Sequence, residues 1–405
     1  MIFLRVAAPF IAGYFVSYVY RAVNAVLGPA LAAEFGLSAG GLGLLTSMYF
    51  FSFALFQLPL GLLLDRFGPR RVNATLLLVA AAGGAWFAHA DSAIAAIAAR
   101  ALIGIGVSGC LMSTFQAFVL WYPPERLSTM NGVAFSAGAL GAMTVTVPLQ
   151  LLLQHWQWRE AFMLIVYATL AVSLLLWFWV PERSARPRGE TLADPLRGLR
   201  ALVSDPAFRR IALALGASQL AAVALQTLWA ATWLRDVAGY TPPEVARGLL
   251  AINLAMIVGY IGFGRAADAW TRRGRSALPL LVGGIAMASL SLGLLTLGVR
   301  FASLALWCVF VCGSTATVLG YSVLSRRYPK GMSGRTNTML NVFAFIGIFT
   351  GQWGVGLILD LWPQTTAGYA PQAYAWAFGA VWAIQFAGLV WLWSGRRLFD
   401  APVNG

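Results

Sequence analysis

The amino-acid sequence predicts an all-α membrane protein: twelve transmembrane helices arranged as two pseudo-repeated six-helix bundles. Three observations carry that expectation. Apolar runs of about 20 residues recur along the whole 405-residue chain, the length that crosses a ~30 Å hydrocarbon core at ~1.5 Å per residue. Basic residues are abundant in every second connecting segment and scarce in the others. Short motifs in the first half return in the second at similar offsets.

The composition sets the class. With 60% of residues hydrophobic and 10% charged, a soluble domain of this length has too little polar surface to cover the chain. Helices are read at 6–32, 40–64, 72–90, 93–120, 128–152, 160–180, 208–234, 243–267, 277–298, 301–325, 334–360 and 373–394. Met1-Ile2-Phe3-Leu4-Arg5 leads straight into the first apolar stretch without a small-residue cleavage site, so the first helix is expected to stay.

A formal charge of +14 would suggest nucleic acid in a soluble protein, and here its distribution decides its meaning. Of the 28 Lys and Arg residues, 22 fall on one side of the predicted spans: Arg5; Arg66, Arg70 and Arg71; Arg126; seven between Arg183 and Arg210; Arg265, Arg272, Arg273 and Arg275; Arg326, Arg327, Lys330 and Arg335; Arg396 and Arg397. The other side has Arg159, Arg235, Arg247 and Arg300. The positive-inside rule then places both termini in the cytoplasm, which needs an even number of spans. The basic residues are spread over short loops without a stacking platform, so no nucleic-acid partner is expected. The partners implied are the lipid bilayer and a small solute, with the protein working as a monomer in the cell inner membrane. Cys110, Cys308 and Cys312 all lie inside predicted spans and suggest no disulfide framework.

The polar stretch from Pro181 divides the chain near its middle, giving an N-terminal bundle at 1–180, a cytoplasmic linker at 181–207 and a C-terminal bundle at 208–405. Each half echoes the other. Gly61-Leu-Leu-Leu-Asp65-Arg66-Phe-Gly68-Pro-Arg70-Arg71 follows helix 2, and Gly264-Arg-Ala-Ala-Asp268-Ala-Trp-Thr-Arg272-Arg273-Gly274 follows helix 8. Tyr122-Pro123 with Asn131 downstream is matched by Tyr328-Pro329 with Asn337 downstream. Parallel repeats of this kind build many carriers around a midplane site.

Gly61 to Arg71 resembles the loop 2-3 signature of the major facilitator superfamily at every fixed position, and Arg100-Ala-Leu-Ile-Gly104-Ile-Gly106 resembles the family's second signature, in helix 4. The resemblance implies the major facilitator fold and alternating access: two bundles closing in turn over a central cavity lined by helices 1, 2, 4, 5, 7, 8, 10 and 11. It also implies a conformational role for Gly61, Asp65, Arg66, Gly68, Arg70 and Arg71, for their echo Gly264, Asp268 and Arg272, and for Arg100. In physical terms Asp65 suits the positive end of a neighbouring helix, while Arg66, Arg70 and Arg71 suit carboxylates or carbonyls across the bundle interface.

Charged groups at mid-membrane are costly, so each is a functional candidate. All fourteen acidic residues and both histidines fall in loops or at helix ends. Only Arg21 and Arg100 lie within spans, and Arg100 reads as structural. Arg21 belongs to a polar stripe on helix 1, Tyr14, Ser17, Arg21, Asn24 and Gly28, which lipid would penalise. The candidate substrate-binding set is Arg21, Tyr20, Asn24, Tyr49, Gln57, Gln116, Gln226, Trp229, Asn253, Tyr321 and Asn341. A cavity with a fixed cation, amides and phenols but no carboxylate favours a small organic anion. Tyr20-Arg21-Ala-Val-Asn24 resembles the helix 1 Asp-Arg-x-x-Asn pattern of anion:cation symporters in the superfamily, with Tyr20 replacing the acid. Exchange, uniport or carriage of an already protonated acid then fits better than proton coupling through a carboxylate.

The nearest alternative is a multidrug or metabolite exporter with an aromatic pocket, although helix 5, Gly132 to Pro148, lacks the Gly-Pro pair of the antiporter signature. A copper-type importer would call on Cys308 and Cys312, four apart on helix 10, with Met112 and Met143; no intramembrane His-xxx-Met or Met-xxx-Met pair accompanies them. No metal and no cofactor is expected. An enzyme would need a buried base, paired acids or a metal, and none is read in the spans.

Overall fold

The computed structural model describes residues 3–182, 202–325, 327–328, 333–364 and 368–399. Among them are twelve helices long and apolar enough to cross a membrane: α1 (Phe3–Ala22), α2 (Ala39–Leu64), α3 (Arg66–Ala88), α4 (Ala93–Trp121), α5 (Met130–Leu152), α6 (Trp158–Trp179), α7 (Pro206–Asp236), α8 (Pro242–Arg272), α9 (Leu278–Thr296), α10 (Ser303–Leu324), α11 (Thr336–Leu359) and α12 (Pro371–Ser394). The chain forms two compact units, Met1–Gly189 and Glu190–Gly405. Most of the expected linker, 183–201, lies outside the described residues.

Local chemistry sets where these helices begin and end. After α1 a further helix runs over Asn24–Phe35 and stops at Gly36, whose left-handed backbone (φ 61°) suits glycine. Ser38 and Ser92 cap α2 and α4 by accepting the Gly41 and Ala95 N–H groups. Capping boxes open α6 (Gln157 with Glu160) and α8 (Thr241 with Glu244). Asp205 caps α7 ahead of Pro206, accepting the Ala207 N–H at 2.8 Å. The signature glycine Gly68 takes φ 76° and ψ 162° just before Pro69, a backbone that an L side chain opposes. Only glycine turns the chain there cheaply.

Within the N-terminal unit, α1 packs on α5 and α6. In the C-terminal unit, α7 packs on α11 and α12 in the same way. The pairing of α9 with α10 matches that of α3 with α4, where backbones meet closely: a Cβ on Gly106 would fall on the Ala80 backbone, and on the α2 side of α4 one on Gly104 would fall on the Tyr49 carbonyl and Ser52. Small residues replace the hydrophobic effect as the means of bringing helices together in lipid. Gly106→Val is therefore expected to abolish folded yield, read as loss of the monodisperse peak in fluorescence-detected size-exclusion chromatography. An unchanged peak would mean that α3 and α4 can separate at little cost. Outward-facing apolar side chains such as Phe178 and Leu290 (78% and 70% exposed) form the surface a bilayer would cover.

Candidate functional site

In the N-terminal unit the site is built on Arg21. Its guanidinium lies 4.3 Å from the Tyr18 ring centroid, one helical turn back, and 5.9 Å from the centroids of Phe50 and Phe53 on α2. The Tyr14 hydroxyl donates to that of Tyr18 at 3.3 Å. Tyr49, also on α2, donates its hydroxyl to the Ser17 carbonyl at 3.1 Å and reaches the Arg21 side chain. Aromatic faces attract a cation without cancelling its charge. This collar thus holds a positive group in place with neutral contacts.

Most other sequence candidates in this unit hold helices together. Asn24 donates to Thr46 at 3.0 Å, joining α2 to the helix that follows α1, and Gln57 donates to the Ser108 carbonyl at 3.2 Å, joining α2 to α4. Gln116 reaches the Leu64 carbonyl at 3.5 Å. Tyr20 needs a correction as a substrate residue. It is fully buried, its hydroxyl accepts from Thr169 of α6 at 3.1 Å, and its ring lies against Phe162. Adjacent helical positions point about 100° apart, and Tyr20 faces the bundle wall while Arg21 is half-buried. Arg100 is fully buried as well, donating to the Tyr20 carbonyl at 3.0 Å with its guanidinium 5.1 Å from the Tyr49 ring centroid. It ties α4 to α1.

Arg70 and Arg71 hold the end of α6 and a residue just beyond it within their own unit. Arg70 donates to the Trp177 carbonyl at 2.5 Å, and Arg71 pairs with Glu182 at 2.7 Å. A helix C-terminus is the negative end of its dipole, so these cations suit it. Arg66 lies over the Phe67 ring, Gly61 faces open space, and the Asp65 side chain lies outside the described residues.

The C-terminal unit carries a second polar group. Leu225–Trp229 of α7 is a π-helical turn, a distortion often found at functional positions. From it Gln226 donates to Asn253 Oδ1 on α8 at 3.1 Å, beside Met256 Sδ at 3.7 Å, while Asn253 donates to the Leu249 carbonyl. Tyr321 donates to Asn341 Oδ1 at 2.6 Å, joining α10 to α11. Trp229 is corrected to a core residue: 1% exposed, it donates to the Gln352 carbonyl at 3.1 Å. In the echo of the loop signature, Gly264 faces open space, and exposed Asp268 and Arg272 make no ion pair among the described residues. Cys308 and Cys312 are half-buried, and no three His, Cys, Asp or Glu residues gather among the described ones.

Two features escaped the sequence reading. At the ends remote from the signature loops, Glu34 on the helix that follows α1 is held by the start of α6. Asp236 at the end of α7 is held by its neighbour Arg235 and by residues at and before the start of α12. Glu34 pairs with Arg159 at 2.5 Å and accepts from the Trp158 indole at 2.5 Å, while Arg159 also bonds the Ala88 and Ala90 carbonyls. Asp236, its side chain fully buried, pairs with Arg235 at 2.6 Å and accepts from the Tyr374 hydroxyl at 2.7 Å and the Tyr369 N–H at 3.2 Å. Glu34 and Asp236 are nearly as far apart in sequence as Gly61 and Gly264, so the internal repeat was the signal available. At the opposite end of the C-terminal unit, Tyr328 donates to Asp205 at 2.5 Å, and burial together with that carboxylate raises its phenol well above the usual range.

The family model of the Major Facilitator Superfamily matches residues 10–352 of this chain. The chain belongs to that superfamily. Major facilitator proteins are multi-pass membrane transporters rather than enzymes, and the twelve apolar helices of this chain agree with that class. A probable sulfoacetate transporter, SauU of Cupriavidus necator, is 27% identical over 184 residues, 45% of this chain and 43% of that protein. The quinolone resistance transporter of Acinetobacter baumannii is 24% identical over 402 residues, covering 91% of this chain and 90% of its own. The chain matches less than half the length of the first of these relatives. A solved D-xylose-proton symporter shares the fold with a TM-score of 0.78 at 14% identity, over 97% of this chain and 98% of that one.

Proposed function

We propose that this major facilitator transporter moves a small organic anion by alternating access across the inner membrane, with Arg21 as the partner of the anion's charge. The observation that carries the reading is the Arg21 collar: a half-buried guanidinium inside a membrane span, fixed by Tyr18, Phe50 and Phe53 in a sequence that places every acidic residue in a loop or at a helix end. A charge retained in that setting at a cost of several kcal/mol needs a use, and a planar guanidinium pairs best with carboxylate or sulfonate oxygens. Likeness to a probable sulfoacetate transporter agrees. With Tyr20 where the symporters that α1 resembles carry an acid, transport runs by exchange, uniport or carriage of an already protonated acid.

A screen of purified protein by thermal stabilisation tests this, using mono- and dicarboxylates, sulfonates, sugar acids, neutral sugars, amino acids and organic cations. Stabilisation is expected from one class of organic anion, followed by counterflow of that anion in proteoliposomes with the pH gradient collapsed. Stabilisation by neutral or cationic compounds alone would overturn the proposal. The second reading, a drug exporter, is favoured by the near full-length match to a quinolone resistance transporter and by the aromatic collar. Quinolones belong in the same screen.

A further inference from the structure

On the outer face of the C-terminal unit a groove of about 420 Å³ runs between α9 and α12. Its lining is apolar and regular: Leu290 and Gly293 on α9, with Leu297 at its C-cap, face Trp382, Phe386 and Leu389 on α12. The spacings of four and three residues put each set on one helix face. The Trp382 indole donates to the Ser289 carbonyl at 3.0 Å and stacks on Phe386 at 5.4 Å, which fixes the α12 wall. Gly293 keeps the α9 wall low, since a Cβ there would approach the Trp382 indole nitrogen to 3.1 Å.

The α12 stripe does not stop at Leu389. One turn on it reaches Trp393, half exposed, with the Arg396 guanidinium 4.3 Å from its ring centroid and donating to its carbonyl. Exposed Arg397 follows. Neither arginine forms an ion pair among the described residues. From Trp382 to Trp393 the helix rises about 16 Å, close to half of a ~30 Å hydrocarbon core. The trough itself spans Trp382 to Leu389, and the same face of α12 carries on from it to an amphipathic indole and two cations.

The geometry points to a binding site for an anionic phospholipid of the leaflet in which α12 ends, with one acyl chain lying in the α9–α12 groove and the phosphate at Arg396 and Arg397 beside Trp393. Bilayer lipid of any kind wets an apolar face. A trough that continues into paired arginines selects by head-group charge, because basic side chains at a membrane surface attract anionic lipid and an indole belongs at that depth. The site shares no residue with the Arg21 collar and does not depend on which solute is carried.

Native mass spectrometry of the purified full-length protein with phosphatidylglycerol or phosphatidylcholine of identical chains tests it, with thermal stabilisation read in parallel. Phosphatidylglycerol is expected to bind about tenfold more tightly, a preference weakened by high salt. Arg396→Gln with Arg397→Gln should bring it down to the phosphatidylcholine level, and Ala286→Phe, which fills one end of the groove, should weaken both lipids. Equal binding of the two lipids by the wild type, or an intact preference in the double variant, would overturn the site. So would an equal shift from glycerophosphoglycerol alone, which would place the affinity in the phosphate without the chain. A stable dimer that Ala286→Phe makes monomeric would instead assign the groove to a second copy and reject the lipid. If Ala286→Phe fails to fold, the surface double variant still decides.

Discussion

Arg21→Ala should abolish uptake and ligand-induced thermal stabilisation while leaving folded yield intact. Losing a charge-assisted contact to a bound anion costs about 3 kcal/mol, roughly a hundredfold in affinity. The fold should tolerate the change because the neighbouring rings pack on α1 and α2 independently: Tyr49 keeps its bond to the Ser17 carbonyl, and Asn24 its bond to Thr46. Arg21→Lys is the more informative companion. It keeps the charge but loses the flat face that lies over Tyr18, so affinity should fall about tenfold rather than a hundredfold. Titration of the stabilising anion against wild type and both variants gives the ranking. Unchanged apparent affinity in Arg21→Ala would remove Arg21 from the site.

The second large effect is expected at Asp236, in the C-terminal unit. Its side chain is fully buried and holds Arg235, the Tyr374 hydroxyl and the Tyr369 N–H. Asp236→Ala takes the acceptor from the half-exposed Arg235, the Tyr374 hydroxyl and the Tyr369 N–H at once, and each buried donor left unsatisfied costs about 1–3 kcal/mol. The thermal midpoint should drop by several degrees. Glu34→Ala, at the matching place in the N-terminal unit, should cost about 1 kcal/mol or less, because both partners there are partly exposed. Differential scanning fluorimetry of the two variants checks the contrast, and equal shifts would mean that burial is not what sets the strength of the contact.

The architecture was legible in the sequence because lipid imposes it. Each span must be helical and apolar throughout, and the Gly61 and Gly264 motifs announce the repeat without any tertiary information. Side-chain direction was harder to read. Tyr20 and Arg21 are neighbours on one helix, and periodicity cannot say which of them faces the bundle wall until α6 brings Thr169 to the Tyr20 hydroxyl. Trp229 resembles a cargo aromatic in sequence until Gln352, 123 residues on, takes its indole N–H. Glu182, the partner of Arg71, lies 111 residues away in a segment read as linker. Asp236 sits at a helix end, where acids are ordinarily solvated; its burial comes from Tyr369 and Tyr374 closing over it, which no local pattern records.

The two clamped carboxylates have a practical consequence for spectroscopy. Because Glu34 is bound to the first turn of α6 and Asp236 to residues at and before the start of α12, a pair of spin labels or fluorophores placed across either clamp should read one narrow distance under every condition. Such a pair serves as an internal ruler. Broadening at that ruler would report local unfolding, and any distance change seen elsewhere could then be assigned to transport-related motion rather than to loosening of the protein in detergent.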